Sequence, residues 1–166
     1  MPGSQTGFTL LEMIISVAII AALFGLSTVG AFQLSKQLNI SSADTGVINI
    51  LSTAARKARD GSGQSNWGVH LPYDDSTRSL NEITIFKGLS YALRDADYDI
   101  DYPFSDSTLF TTVSLSGSSP SSGDDHEVVF SALSGQTDNY GTITLTIFGD
   151  ERVVSLGQDG IASREY

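Results

Sequence analysis

The chain contains no cysteine, which excludes disulfides, thiolate metal sites and cysteine nucleophiles. Histidine is almost as scarce, with His70 and His126 the only two. No Gly-x-Ser-x-Gly elbow and no His-x-x-x-His pair is present, and this argues against an enzyme of the common hydrolase or zinc-peptidase kinds. Basic residues number nine against nineteen acids. They are also unevenly placed. Residues 8–59 hold two acids (Glu12, Asp44) and four bases (Lys36, Arg56, Lys57, Arg59), whereas residues 60–166 hold seventeen acids and five bases. A C-terminal region that acidic argues against nucleic acid as a tight partner, because neutralising phosphates requires clustered Lys and Arg. With 166 residues, there is room for one globular domain and one long element, not for two full domains.

Apolar residues, by contrast, are concentrated at the start. From Phe8 to Phe32 the chain is almost wholly apolar, and Glu12 is its only charged residue. That length suffices to cross a bilayer core of about 30 Å at about 1.5 Å per residue. A secretory signal peptide would begin with basic residues, carry a shorter apolar core and end in a small-residue cleavage site. None of these holds here. A plain membrane anchor explains the length but not Glu12, since a carboxylate at the centre of a membrane helix costs about 2.5–3.5 kcal/mol and usually marks function. The bland alternative sets Glu12 at the membrane edge, where it simply snorkels.

The stretch Gly7-Phe8-Thr9-Leu10-Leu11-Glu12-Met13-Ile14-Ile15 resembles the N-terminal motif of type IV prepilins and type II secretion pseudopilins. In that family a membrane aspartyl peptidase cuts after the Gly and methylates the new N-terminal residue, commonly Phe. A Glu at the fifth position of the processed chain then guides assembly. Gly7, Phe8 and Glu12 match these three positions one for one. The resemblance therefore implies a leader at 1–7, peptidase cleavage between Gly7 and Phe8, N-methylation of Phe8, and Glu12 as the residue that sets assembly register. It also implies the partners: prepilin peptidase, other pilin or pseudopilin subunits, an inner-membrane assembly platform, and the lipid bilayer before assembly. Localisation follows as single-pass in the inner membrane, with an extracytoplasmic head.

Physical chemistry gives each residue a reason. Gly7 has no side chain, so its backbone can lie close in a protease groove and take strained angles. Cleavage frees an amine on Phe8. In a fibre that amine would face the Glu12 carboxylate of a neighbouring subunit, and a paired buried charge is far less costly than a lone one. Glu12 also falls in the first turn of the processed helix, where the helix dipole favours a negative charge. Two departures stand out. The leader Met1-Pro2-Gly3-Ser4-Gln5-Thr6 lacks the Lys or Arg common in the family, so orientation is weakly encoded by charge. The span also lacks the mid-helix Pro of many major pilins, leaving Gly25 and Gly30 as its only helix-weakening residues.

Beyond Phe32 the helical pattern continues through 33–59. Leu34, Leu38, Ser41, Thr45 and Ile48 share one face, and Val47, Ile48, Leu51, Ala54, Ala55 and Ala58 make an apolar stripe. Ser41-Ser42-Ala43-Asp44 with Gly46 predicts a kink or restart, with Asp44 as N-cap. Asp60-Gly61-Ser62-Gly63 predicts the helix end. The bases Arg56, Lys57 and Arg59 suit a helix C-terminus, or alternatively a nucleic-acid contact. Strands are expected at Trp67–Leu71, Glu82–Phe86, Leu109–Leu115, Glu127–Ser131, Thr142–Phe148 and Arg152–Leu156, the last two as a hairpin. Ser116–Gly123 reads as a polar loop.

The helix end Leu51–Arg59 and the closing run GTITLTIFGDERVVSLGQDGI resemble the GspH/FimT-type minor pseudopilins. The implied fold is α+β: a long N-terminal, partly transmembrane helix packed against an antiparallel β-sheet head of the pilin type. The chain then divides into a leader at 1–7, a membrane half-helix at 8–32, a soluble half-helix at 33–59 and a β head at 60–166.

Ligand sites are sparse. His70 alternates with Val69 and Leu71 and is expected to face solvent; His126, in Asp124-Asp125-His126-Glu127, is expected in a solvated loop. No cofactor is indicated. The one weak metal candidate is Asp95, Asp97, Asp99 and Asp101, followed by Asp106, whose oxygen-rich spacing can suit Ca²⁺. Against it, Ile100 and Asp106 stand where an EF-hand loop requires Gly and Glu. Two functions remain in play: a structural fibre subunit for type II secretion, a type IV pilus or DNA uptake, and a fibre-borne module that captures DNA or a surface ligand.

Overall fold

The computed structural model describes residues 9–73, 80, 82–104, 108–117, 126–147 and 149–165; side chains at 26–32, 35–37, 39–41 and 109 lie outside the description. The chain divides into two units, 1–38 and 39–166. One helix, α1 (Leu10–Arg59), contributes to both. It runs through 41–46 without a break. The restart expected there does not form, and Asp44 is not an N-cap.

In the first unit, Leu10, Leu11, Met13, Ile14, Ile15, Val17, Ile19, Ile20, Leu23 and Phe24 are all exposed. These positions point in every direction round the helix axis. A helix apolar all round belongs inside something else. Among the described residues, however, no helix is long and apolar enough to cross a membrane. Within the expected span of 8–32, Phe8 and the side chains of 26–32 lie outside the description.

The second unit is an α+β domain. Its strands are β1 (Trp67–Leu71), β2 (Glu82–Lys87), β3 (Ile100–Pro103), β4 (Thr108–Ser116), β5 (His126–Phe130), β6 (Tyr140–Ile147), β7 (Asp150–Leu156) and β8 (Ala162–Glu165). They form two four-stranded antiparallel sheets, ordered β3-β2-β1-β5 and β4-β6-β7-β8. The α1 residues Val47, Ile50, Leu51, Ala54, Ala55 and Ala58 join Val69, Ile83, Ile85, Val128 and Phe130 of the first sheet and Phe110, Ile143, Leu145 and Val154 of the second in one buried core. The helical stripe is mostly alanine toward its end. Small side chains there let the sheets approach the helix closely while still removing apolar surface from water.

The six expected strands are present, with shifted ends; Phe148 lies outside the described residues, as does most of the 116–123 loop. The hairpin is formed: Ile147 pairs with Asp150, and Gly149 has φ 84° in the turn, a conformation glycine takes at no steric cost. Two strands have no counterpart in the sequence pattern. β3 carries Asp101 and Pro103, and β8 reads Ala-Ser-Arg-Glu. Both are edge strands, where charge and proline are tolerated because one side of the ladder is unpaired.

His70 and His126 are both buried, contrary to expectation. His70 does point away from the core, as its alternation requires. But the twelve residues between β2 and β3 fold back over that outer face. His126 is the first residue of β5, paired with Leu71, and its ring lies 5.9 Å from that of Tyr73.

Candidate processing and assembly site

Helix α1 starts at Leu10 because Thr9 caps it. The Glu12 N–H donates to the Thr9 carbonyl at 3.1 Å and to Thr9 Oγ1 at 3.3 Å, satisfying one of the orphan donors of the first turn. Met13 N–H also reaches the Thr9 carbonyl, at 3.2 Å. Ser16 Oγ donates back to the Glu12 carbonyl at 2.7 Å. Glu12 therefore sits in the first turn with its carboxylate exposed among exposed apolar neighbours. The helix dipole favours a negative charge there. Gly7 and Phe8 lie outside the described residues.

The other sequence candidates are not drawn together. Asp99 accepts from Arg94 Nε at 2.6 Å, Asp101 accepts from Thr84 Oγ1 at 2.7 Å, and Asp95 lies 4.0 Å from Lys87 Nζ. Asp97 is exposed, and Asp106 is outside the description. Among the described residues no group of three or more His, Cys, Asp or Glu side chains could hold a metal ion. The Asp99 hydrogen bond raises the Arg94 pKa, against the lowering effect of burial. Two members of the basic cluster also contact the protein itself. Lys57 Nζ lies 4.4 Å over the Trp67 ring, and Arg59 Nε donates to the Ser134 carbonyl at 3.4 Å.

A buried polar cluster absent from the sequence reading lies on the outer face of the first sheet. Directly opposed across β2, β1 and β5 are Thr84, His70 and Glu127. Tyr91 stacks on His70 at 3.6 Å and 6°, and the Arg94 guanidinium lies 3.7 Å from the Tyr91 ring centre. Two planar groups that close must occupy opposite faces of one ring, so Tyr91 is sandwiched. Its N–H donates to Glu127 Oε2 at 2.7 Å. The cluster pins a connecting segment.

Residues 3–28 match the prokaryotic N-terminal methylation motif. The chain has a prepilin-like N-terminus. The motif marks a type IV pilin-like substrate of prepilin peptidase, one that is cleaved, methylated and assembled with other pilins. No curated protein and no solved structure matches the chain. The prepilin-like segment includes Gly7, Phe8 and Glu12, and it also includes Thr9, which the sequence reading passed over. Thr9-Leu10-Leu11-Glu12 has the S/T-x-x-E spacing of a capping box, the signal that would have found it.

Proposed function

We propose that this protein is a minor pilin or pseudopilin of the GspH/FimT kind, a structural subunit and not an enzyme. It is held in the inner membrane by 8–32, cut between Gly7 and Phe8, methylated on Phe8, and assembled through α1 into a pilus or pseudopilus, with a pilin-type head at 60–166. The observation that carries this reading is Glu12: the one charge in 8–32, in the first turn of a helix apolar on every side, inside the methylation motif. An apolar helix of that kind gains by burial first in lipid and then among the helices of other subunits. In either surrounding the charge needs a partner, and the Phe8 amine of a neighbour supplies it. The right stagger pairs both charges and any other strands one.

Glu12→Ala tests the reading. It is expected to leave cleavage intact and to block incorporation into fibres, and normal assembly of the variant would refute the register argument. Capture of DNA by the head finds no support in the geometry, since Lys57 and Arg59 are engaged within the protein and the head is strongly acidic.

A further inference from the structure

A cavity of about 460 Å³ lies between α1 and the outer edge of the first sheet. One wall is a single face of α1, where Ser42, Gly46, Asn49 and Thr53 recur at spacings of four, three and four beside the core stripe. The opposite wall holds Tyr102 of β3 and Phe104 just after it. Gly46 keeps the space open. A Cβ on it would meet the Phe104 ring only at 3.9 Å, an ordinary contact, so a longer side chain is needed to fill the gap. Phe104 is held in place, edge-on to the buried Phe110 with ring centres 5.4 Å apart.

The floor carries an unpaired hydroxyl. Thr108, at the start of β4, is only 7% exposed and lines the cavity two residues before the core residue Phe110. Among the described residues its side chain makes no hydrogen bond, and neither do those of Ser42, Asn49 and Thr53 on the facing helix. Burying a hydroxyl without a partner is costly. A ligand that hydrogen-bonds to Thr108 therefore gains more than the same contact would give at an open surface.

The lining selects the class of ligand. None of the described lining residues is charged, so a cation finds no carboxylate there and an anion no base, and the acidity of 60–166 repels anions further. An apolar occupant, such as the 10–25 segment of another chain, would seal Thr108 and Asn49 without pairing them. What fits is a neutral molecule rich in both donors and acceptors. Asn49 presents two donors and an acceptor, and each hydroxyl one donor and two lone pairs. The rings of Tyr102 and Phe104, negative on their faces, suit the C–H side of a sugar ring. The volume falls within the range of small-molecule sites, about 300–1,000 Å³, with room for one or two such rings.

We propose that this groove binds a neutral saccharide, with Thr108 and Asn49 hydrogen-bonding its hydroxyls and Tyr102 and Phe104 packing against a ring. An extended peptide would pair instead with the free ladder groups of β3, where Pro103 has no N–H to donate. The site lies wholly within 39–166 and depends neither on processing nor on Glu12.

The full chain, purified in a zwitterionic detergent that carries no sugar, is tested by saturation-transfer NMR with maltose, cellobiose, lactose and N,N′-diacetylchitobiose as probes. At least one of them is expected to receive saturation from the protein. Gly46→Leu fills the groove with a better helix former, and it is expected to weaken that sugar's binding about tenfold. Thr108→Val keeps the shape and removes only the unpaired hydroxyl. It is expected to weaken binding about fivefold while the denaturation midpoint holds or rises, so that lost binding is not lost folding. No transfer to any of these sugars, or an affinity unchanged in either variant, would overturn the proposal. So would tighter binding, sensitive to the same two variants, of the neutral peptide acetyl-Ser-Asn-Ser-Gly-amide.

Discussion

Gly68 shows how little room single residues leave in this domain. It lies in β1 opposite Phe86, and a Cβ on it would collide with the tip of the Phe86 ring. Gly68→Ala is therefore expected to destabilise the protein by about 2 kcal/mol through overpacking, measured as a lowered denaturation midpoint; Phe86→Leu in the same background should recover part of the loss. Asp44 is the second case. Its carboxylate is fully buried, 2.8 Å from Arg164 Nη2, with Thr45 N–H at 2.6 Å. Arg164→Ala strands that charge and should cost about 3 kcal/mol in chemical denaturation. Replacing both partners, Asp44→Leu with Arg164→Met, should lose much less. Equal losses for single and double variants would show that the pair is not the source. The sequence suggested a helix cap at Asp44 because cap preference is local, whereas its partner lies 120 residues away on an edge strand.

At the scale of elements, legibility followed pattern strength. The α1 stripe and β6, with strict alternation at Ile143, Leu145 and Ile147, were readable because one face of each is buried and the other is not. β3 and β8 were unreadable, since edge strands held by neighbours need no apolar alternation. The burial of His70 was hidden for another reason: its outward direction was legible, but the 88–99 segment folded over it has no periodic pattern at all. The same limit applies to the assembly segment, where Gly7, Phe8 and Glu12 carried a motif and Thr9 carried only a cap. Thr9→Ala should remove about 1 kcal/mol from the first helical turn. Faster hydrogen exchange at the Glu12 amide, with the C-terminal half of α1 unchanged, is the expected sign.

For the whole molecule, the two units meet opposite demands. Residues 10–25 present apolar surface on every side and one carboxylate, while 39–166 buries most of its large apolar residues in a core shared by helix and both sheets. A chain so divided suits the two surroundings proposed for it, lipid first and then a fibre of like helices. The helix-first, strands-after order was legible in composition; the groove between α1 and β3 was not, because its walls come from segments far apart in the sequence. The claim on which everything else depends is processing at the Gly7–Phe8 junction. Mass spectrometry of the protein purified from membranes that contain active prepilin peptidase tests it directly. The account predicts a chain that begins at Phe8 and carries one added methyl group on its amine, whereas a chain that keeps residues 1–7 under those conditions would contradict it.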